Sequence, residues 1–240
     1  MSLLGGWFGT KARRNRQPVA EVAGMIDRWK ALPEPDLSIP LSNQCWLVVD
    51  VETTGLDMQR DRLLAIGAVI VEGSLIRLDR SFEVVIRQDA PSRTDNILIH
   101  RIPGTEQVDG VDPAVALAEF LAFAQKLPCI AFHATFDETM LRRAYDEYLG
   151  LDFAPHFVDL ALLAPALVPD APKALRNLDD WIGHFSIDIH ARHRAVADAV
   201  GTAQLFQALM SRLKPGQATT AKNLFKLAHD QRWLSNISRA

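Results

Sequence analysis

The chain has 240 residues, of which 48% are hydrophobic and only two are cysteines, and its formal net charge at pH 7 is −3. This length suits one large domain with additions at its ends. Cys45 and Cys129 both start apolar runs, as reduced and buried cysteines do, which excludes a disulfide framework and indicates a cytoplasmic protein. No apolar run reaches the ~20 residues that span a membrane, so we expect no membrane association, and we also expect no secretory signal.

The charge is unevenly distributed along the chain. Residues 1–16 and 214–240 together carry a charge of +8, so residues 17–213 carry −11. An acidic core disfavours a broad basic groove for nucleic acid. It is compatible with a site whose acidic side chains hold cations, which in turn contact a few phosphates.

In chain order, a polar segment is followed by an amphipathic helix over 19–32 and a proline-punctuated linker that ends at Pro40. We therefore divide the chain into three parts. These are a basic N-terminal extension, a main domain and a basic, partly helical tail, over residues 1–40, 41–213 and 214–240.

The main domain is predicted to contain a mixed α/β sheet covered by helices. Three strands come first, with a hairpin turn at Gly73-Ser74, and short strands that alternate with helices follow. Residues 87–111 are predicted to be loop-like. The predicted strands lie at 45–52, 63–72, 75–86, 129–133 and 157–158, and the predicted helices at 112–127, 137–149, 160–167, 175–185 and 194–213.

Two acidic residues, Asp50 and Glu52, end the first predicted strand, which is otherwise an apolar run from Cys45. Residues i and i+2 of a strand point to the same face, so both carboxylates project together from Cα atoms roughly 6.5 Å apart. Two such acids at the end of a buried strand repel each other unless water, cationic groups or a metal compensates them.

Three further residues could complete such a site, and two of them have an ordinary structural alternative. Asp137 opens a predicted helix, where Asp is a common N-cap. Asp198 lies one turn inside the last predicted helix, where solvated acids are common. His193 shares no helical face with Asp198 at ~100° per residue, so the two converge only if His193 lies in the preceding loop.

Four carboxylates and one histidine suit phosphodiester hydrolysis. Carboxylate oxygens are hard ligands for Mg²⁺ and Mn²⁺, and two such ions can stabilise both the attacking and the leaving oxygen of a phosphoryl displacement. A histidine with an unperturbed pKa of about 6.5 can act as general base. The nucleophile is then a metal-activated water, and no serine, cysteine or lysine nucleophile is needed.

The five residues lie in three motifs, Asp50-Val-Glu52-Thr-Thr-Gly55-Leu, Phe136-Asp137 and His193-Arg-Ala-Val-Ala-Asp198-Ala. These motifs resemble those of the DEDDh 3′–5′ exonucleases, the DnaQ-like family that includes the proofreading ε subunit of bacterial DNA polymerase III. The resemblance covers about residues 45–212. It implies a ribonuclease-H-like fold, in which a five-stranded mixed sheet has the strand order 3-2-1-4-5 and is flanked by helices.

The resemblance also implies roles for individual residues. Asp50, Glu52 and Asp198 would bind the catalytic metal, Asp50 would bridge to a second ion supported by Asp137, and His193 would be the general base. Gly permits close backbone approach, and Leu56 would wedge against a base. The residues expected to contact the 3′-terminal nucleotide are Thr53, Thr54, Gly55, Leu56, His100, Ile102 and Phe136.

Two departures from the family pattern concern substrate contacts. Phe132 and His133 stand where the family usually has His-Asn, and Ala65 stands where relatives often have Glu. Because Asp137 is retained, we expect the chemistry to be intact and the nearby substrate contacts to differ.

The resulting expectation is a 3′–5′ exonuclease that uses Mg²⁺ or Mn²⁺, two ions per site, on the 3′ ends of single-stranded DNA, in proofreading or repair. An RNA-directed exonuclease or oligoribonuclease of the same superfamily is an alternative, because the motifs do not specify a contact with the 2′-hydroxyl. A non-catalytic adaptor is a further alternative, disfavoured because all five active-site residues are present.

The two ends of the chain leave alternatives open. The helix at 19–32 and the basic tail either dock a DNA polymerase or a sliding clamp, or pack on the domain itself. Gln217 to Phe225 is only loosely similar to a sliding-clamp peptide. The tail is short for a polymerase-binding segment, so a stand-alone exonuclease is also compatible with the sequence.

Overall fold

The strands of the protein form one mixed sheet. The computed structural model describes residues 20–189 and 194–237, with side chains described as far as residue 231. The strands are β1 (Cys45–Thr53), β2 (Leu63–Glu72), β3 (Leu75–Val85), β4 (Cys129–Ala131) and β5 (Phe157–Asp159). Their order in the sheet is β3-β2-β1-β4-β5, which confirms the predicted order.

The central position of β1 follows from its sequence. It pairs antiparallel with β2 and parallel with β4, and its apolar run is buried on both faces. Leu47 and Val49 enter one hydrophobic cluster, whereas Trp46 and Val48 enter another. By the two-residue period of a strand, Asp50 and Glu52 continue the face of Trp46 and Val48.

Helices cover both faces of the sheet. One cluster packs side chains of α1, α4 and α5 against β1, and the other packs side chains of α6, α8 and α9 against its opposite face. The helices are α1 (Ala20–Lys30), α2 (Thr94–His100), α3 (Gly104–Val108), α4 (Pro113–Ala124), α5 (Thr135–Leu149), α6 (Leu160–Leu167), α7 (Leu178–His184), α8 (Ala195–Met210) and α9 (Ala221–Ile237).

The region from 87 to 111 differs from its prediction as a loop, because it contains α2 and α3. These helices have seven and five residues and no side-chain N-cap, so they are too short to show a helical period in the sequence. By contrast, α4 begins where expected. The Asp112 side chain accepts the Ala114 N–H at 3.1 Å, and Pro113 occupies the first turn.

The helices near both ends of the described chain pack on the domain. Val22 and Ile26 of α1 are buried in the core, and the Trp29 indole donates a hydrogen bond to the Gln125 carbonyl at 2.5 Å. Leu224 of α9 is fully buried, and the Phe225 ring lies 6.0 Å from that of Trp46. Leu224 and Phe225 belong to the segment that is loosely similar to a sliding-clamp peptide. Both side chains pack against the domain itself.

No helix within residues 20–189 and 194–237 is long and apolar enough to cross a membrane.

Candidate active site

Three carboxylates converge at the C-terminal end of the central strand. Asp50 and Glu52 extend from β1 and Asp198 from the first turn of α8, and one oxygen of each lies within 4.8 Å of the others. Asp198 is only 6% exposed, while the other two are partly exposed to solvent. Three hard oxygen ligands at this spacing form a donor set suited to a divalent ion such as Mg²⁺ or Mn²⁺.

Gly67 explains how α8 comes so close to the sheet. It pairs directly with Asp50 across the β1–β2 ladder, so a side chain there would project on the same face. A Cβ on Gly67 would lie 2.0 Å from the Ala195 carbonyl carbon and 2.1 Å from the Val196 nitrogen. The missing side chain therefore lets the start of α8 rest on the sheet and brings Asp198 beside Asp50.

Asp137 lies on the first turn of α5 and is 4% exposed. The helix starts at Thr135 with Ala134 as its N-cap, so the N-cap alternative for Asp137 is wrong. Its Oδ1 accepts the Val51 N–H at 3.2 Å, between the two acids of β1. Burial raises the pKa of the Asp137 carboxyl well above its usual value, and the charges of Asp159 and Glu52 raise it further, against the lowering effect of backbone hydrogen bonds.

Asp159 is a residue near the site to which the sequence patterns gave no role. Its carboxylate accepts the N–H groups of His133 and Ala161, each at 3.0 Å, and burial raises its pKa. His133 has a left-handed backbone with φ of 63°, in the turn that joins β4 to α5. Asp159 thus holds the turn that leads to Asp137. Its position at the end of β5, the parallel neighbour of β4, is the signal that could have found it.

Several side-chain hydrogen bonds hold the turn that follows β1. The Thr53 hydroxyl donates to the Gly55 carbonyl at 2.6 Å, and the Thr54 hydroxyl donates to Asp61 at 3.0 Å. The Asn96 side chain, from α2, donates to the Thr54 carbonyl. Leu56 projects from this turn with 87% of its surface exposed.

The other residues expected to contact a nucleotide are less accessible. His100 is 2% exposed; its Nδ1 accepts the Ile102 N–H, and its Nε2 lies 3.0 Å from the Ser92 hydroxyl. Ile102 is buried against Leu64. Phe136 is half-buried against the core. Direct contact between these side chains and a nucleotide stays a prediction.

The residues that depart from the family pattern also have defined positions. Ala65 is buried and pairs directly with Glu52, so the site lacks a further acid at that neighbouring position. The ring of Phe132 lies edge-on against that of His133, next to the turn before α5. Ala65 therefore neighbours Glu52, whereas Phe132 and His133 precede the helix that carries Asp137.

His193, the expected general base, lies outside the described residues, which resume at Arg194. The Arg194 guanidinium pairs with Glu83 of β3 at 3.1 Å. This ion pair links the residue before α8 to the edge strand of the sheet.

Most of the main domain matches a known protein family. A sequence model of a family described as exonuclease (RNase_T) matches residues 47–206. The chain is 32% identical over 187 residues to the PolC-type DNA polymerase III of Thermotoga maritima. It is 33% identical, also over 187 residues, to a DNA polymerase III subunit epsilon-like protein of Rhodobacter capsulatus. The matches cover 76% and 75% of this chain but only 13% and 26% of those proteins.

Solved structures show the same fold. Exonuclease X, in complex with 5′-overhanging duplex DNA, aligns with 76% of this chain and 99% of its own, with a TM-score of 0.60 and 19% identity. Exonuclease I of E. coli, in complex with a dA16 oligonucleotide, aligns with 77% of this chain and 42% of its own, with a TM-score of 0.63 and 17% identity. At these identities the likeness concerns the fold.

Proposed function

Because the chain belongs to this exonuclease family, we propose that it is a metal-dependent 3′–5′ exonuclease that removes nucleoside monophosphates from single-stranded DNA. The observation that carries the proposal is the convergence of Asp50, Glu52 and Asp198 within 4.8 Å. Carboxylates from two distant parts of the chain meet there, at the C-terminal end of β1. Such a cluster is unfavourable without positive charge to compensate it, which a divalent ion supplies.

Asp50, Glu52 and Asp198 would hold one divalent ion, Mg²⁺ or Mn²⁺, and Asp137 would support a second. When bound, these ions neutralise charge on the scissile phosphate and stabilise the attacking and leaving oxygens. Asp137 suits a supporting role because one oxygen is already engaged by the Val51 N–H, and its burial restricts direct access. His193 would accept a proton from the attacking water, as a histidine ahead of α8 could.

The turn from Thr53 to Leu56 would receive the terminal nucleotide. The hydroxyl groups of Thr53 and Thr54 hold it through the Gly55 carbonyl and the Asp61 carboxylate, and Leu56, four residues after Glu52 in the chain, is exposed. An exposed aliphatic side chain can pack on the face of any base, so this contact tolerates every sequence. His100 and Ile102, which are buried, would support the loop after α2 that lies beside the terminal nucleotide.

DNA is the proposed substrate because of the proteins to which this chain is similar. Its relatives include DNA polymerase III proteins, and the two solved structures compared above contain DNA. Proofreading or repair, with a DNA polymerase as the partner, is the corresponding role. Preferential degradation of RNA would change the proposed substrate, since discrimination between RNA and DNA depends on contacts with the 2′-hydroxyl.

The test uses matched DNA and RNA oligonucleotides of several lengths, labelled at either end, with Mg²⁺ or Mn²⁺. We expect a 5′-labelled DNA strand to shorten one nucleotide at a time, and a 3′-labelled strand to release labelled nucleoside monophosphate at once. Preferential degradation of RNA would support the oligoribonuclease alternative. Release of nucleotides from the 5′ end would contradict the proposed polarity.

A further inference from the structure

We infer that Asp61 and Arg143 are positioning residues that hold Leu56 in the orientation in which it meets the terminal base. This inference rests on the proposed function, because it concerns how the nucleotide-binding turn is shaped. Neither residue belongs to the acidic cluster. Asp61 lies in the loop that follows Leu56, and Arg143 lies on α5, from which its guanidinium reaches that loop.

The Asp61 carboxylate holds the chain on both sides of Leu56. Its Oδ1 accepts the Thr54 hydroxyl at 3.0 Å, and its Oδ2 accepts the Asp57 N–H at 2.8 Å. The Thr54 oxygen in turn accepts the Arg62 N–H at 3.0 Å, so the Thr54 hydroxyl hydrogen is directed to Asp61. One carboxylate thus binds the side chain of Thr54, before Leu56, and the main chain of Asp57, directly after it.

Gly55 lies directly against the Asp61 carboxylate. A Cβ on Gly55 would lie 2.5 Å from Asp61 Oδ2 and 2.8 Å from its carboxyl carbon. The carboxylate therefore fills the space behind the turn. With the turn supported from behind, the Leu56 side chain points into solvent, where it is 87% exposed.

Arg143 fixes the other end of the same loop. Its guanidinium donates hydrogen bonds to the main-chain carbonyls of Met58 and Asp61, the latter at 3.0 Å. Because Arg143 lies on α5, the helix that carries Asp137 also anchors the loop that supports Leu56. The planar, multiply donating guanidinium suits this use, since it can serve two carbonyls from one rigid group.

The consequence is that the base-contacting residue is held at a fixed position relative to the carboxylates. Small displacements of a substrate-positioning group cost activity, because the reacting atoms leave the productive geometry. Asp61→Ala removes both acceptors, and Arg143→Met removes the donors at nearly constant length. Each is expected to lower kcat/KM about tenfold, within the range expected for misplaced positioning groups.

The test is a double-mutant cycle with Leu56, measured as kcat and KM on 3′-labelled single-stranded DNA. We expect Asp61→Ala to cost about tenfold in the wild-type background and less than about twofold in the Leu56→Ala background. Asp61→Asn and Arg143→Lys, which keep one acceptor and one charged donor, should fall between wild type and the larger changes. Asp27→Ala, an exposed acid of α1, is the matched control and should change nothing.

Amide hydrogen exchange across residues 54–62 gives a readout that does not depend on turnover. Both Asp61→Ala and Arg143→Met should speed exchange at Thr54, Asp57 and Arg62, while the Tm reports that the fold is kept. If Asp61→Ala fails to fold, Asp61→Asn and Arg143→Met carry the same cycle.

Full activity of folded Asp61→Ala overturns the inference, as does an equal loss in the wild-type and Leu56→Ala backgrounds. Both results leave the exonuclease proposal intact, because the wild-type protein is active in each. A wild-type protein that degrades no oligonucleotide overturns the proposed function instead, and the inference with it.

Discussion

The carboxylate of Asp137 accepts a hydrogen bond from the main-chain N–H of Val51, the residue between Asp50 and Glu52. This contact ties α5 to the end of the central strand. It also places a buried carboxyl group close to the three acids that converge there. The site is therefore built at a cost in electrostatic free energy, which gives it a measurable dependence on pH and on metal.

Asp137→Asn should stabilise the metal-free protein at neutral pH while abolishing or greatly lowering activity. The folded pKa of Asp137 is raised above 3.8, so its contribution to stability is full below that pH and is lost as the pH rises through the folded value. The neutral amide keeps an acceptor for Val51 and avoids this loss. Denaturant unfolding should show a gain in stability at pH 7 that shrinks towards pH 4.

Added Mn²⁺ should narrow the difference in stability between Asp137→Asn and wild type, because an ion that binds the folded wild-type protein stabilises it. A variant that is less stable than wild type at pH 7 without metal would contradict the electrostatic account of Asp137.

Gly67→Ala should damage both the fold and the site. Its Cβ would lie 2.0 Å from the backbone of Ala195, so the start of α8 would have to move and carry Asp198 with it. Overpacking of this kind costs about 1–3 kcal/mol or more, which would lower the Tm by several degrees. Gly183→Ala is the matched control, because nothing lies within 4 Å of its Cβ and helix α7 should gain slightly. Equal Tm values for the two variants would refute the close-approach argument.

His100 should make stability fall as the pH drops. Burial lowers the pKa of His100 below its usual 6.5, so its contribution is full above that pH and declines as the pH falls through 6.5. His100→Asn keeps an acceptor for the Ile102 N–H but does not titrate. The difference in unfolding free energy between wild type and His100→Asn should change by at most about 1.4 kcal/mol per pH unit. A difference that is constant from pH 8 to pH 5 would contradict the prediction.

Asp159→Ala should lower activity by loosening the turn before α5. It removes the acceptor for the N–H groups of His133 and Ala161, at a cost of about 1–3 kcal/mol in stability. Asp112→Ala, at the cap of α4 far from the acids in the chain, is the comparison, because it likewise removes an acceptor for a main-chain N–H. We expect Asp112→Ala to lose only stability and Asp159→Ala to lose both stability and kcat. Unchanged kcat in folded Asp159→Ala would separate Asp159 from the site.

The sequence predicted the parts of this molecule that follow from period and motif. The apolar run before Asp50 indicated the central strand, and the two-residue period placed Glu52 on the same face. The role of Gly67 was not predictable, since it depends on a helix more than a hundred residues later. The structural roles of Asp61, Arg143 and Asp159 were missed for a related reason. Most of their hydrogen-bond partners are main-chain groups, whose positions leave no pattern in the side-chain sequence.

The central claim is that Asp50, Glu52 and Asp198 bind the divalent ions that drive hydrolysis at a 3′ end. The most direct test measures release of nucleoside monophosphate from 3′-labelled single-stranded DNA, with Mn²⁺ binding by calorimetry, for wild type and Asp50→Asn. We predict that wild type binds Mn²⁺ and degrades the strand, and that Asp50→Asn loses more than about a hundredfold in both activity and Mn²⁺ affinity. Full activity in Asp50→Asn, or in wild type stripped of divalent metal, would contradict the account.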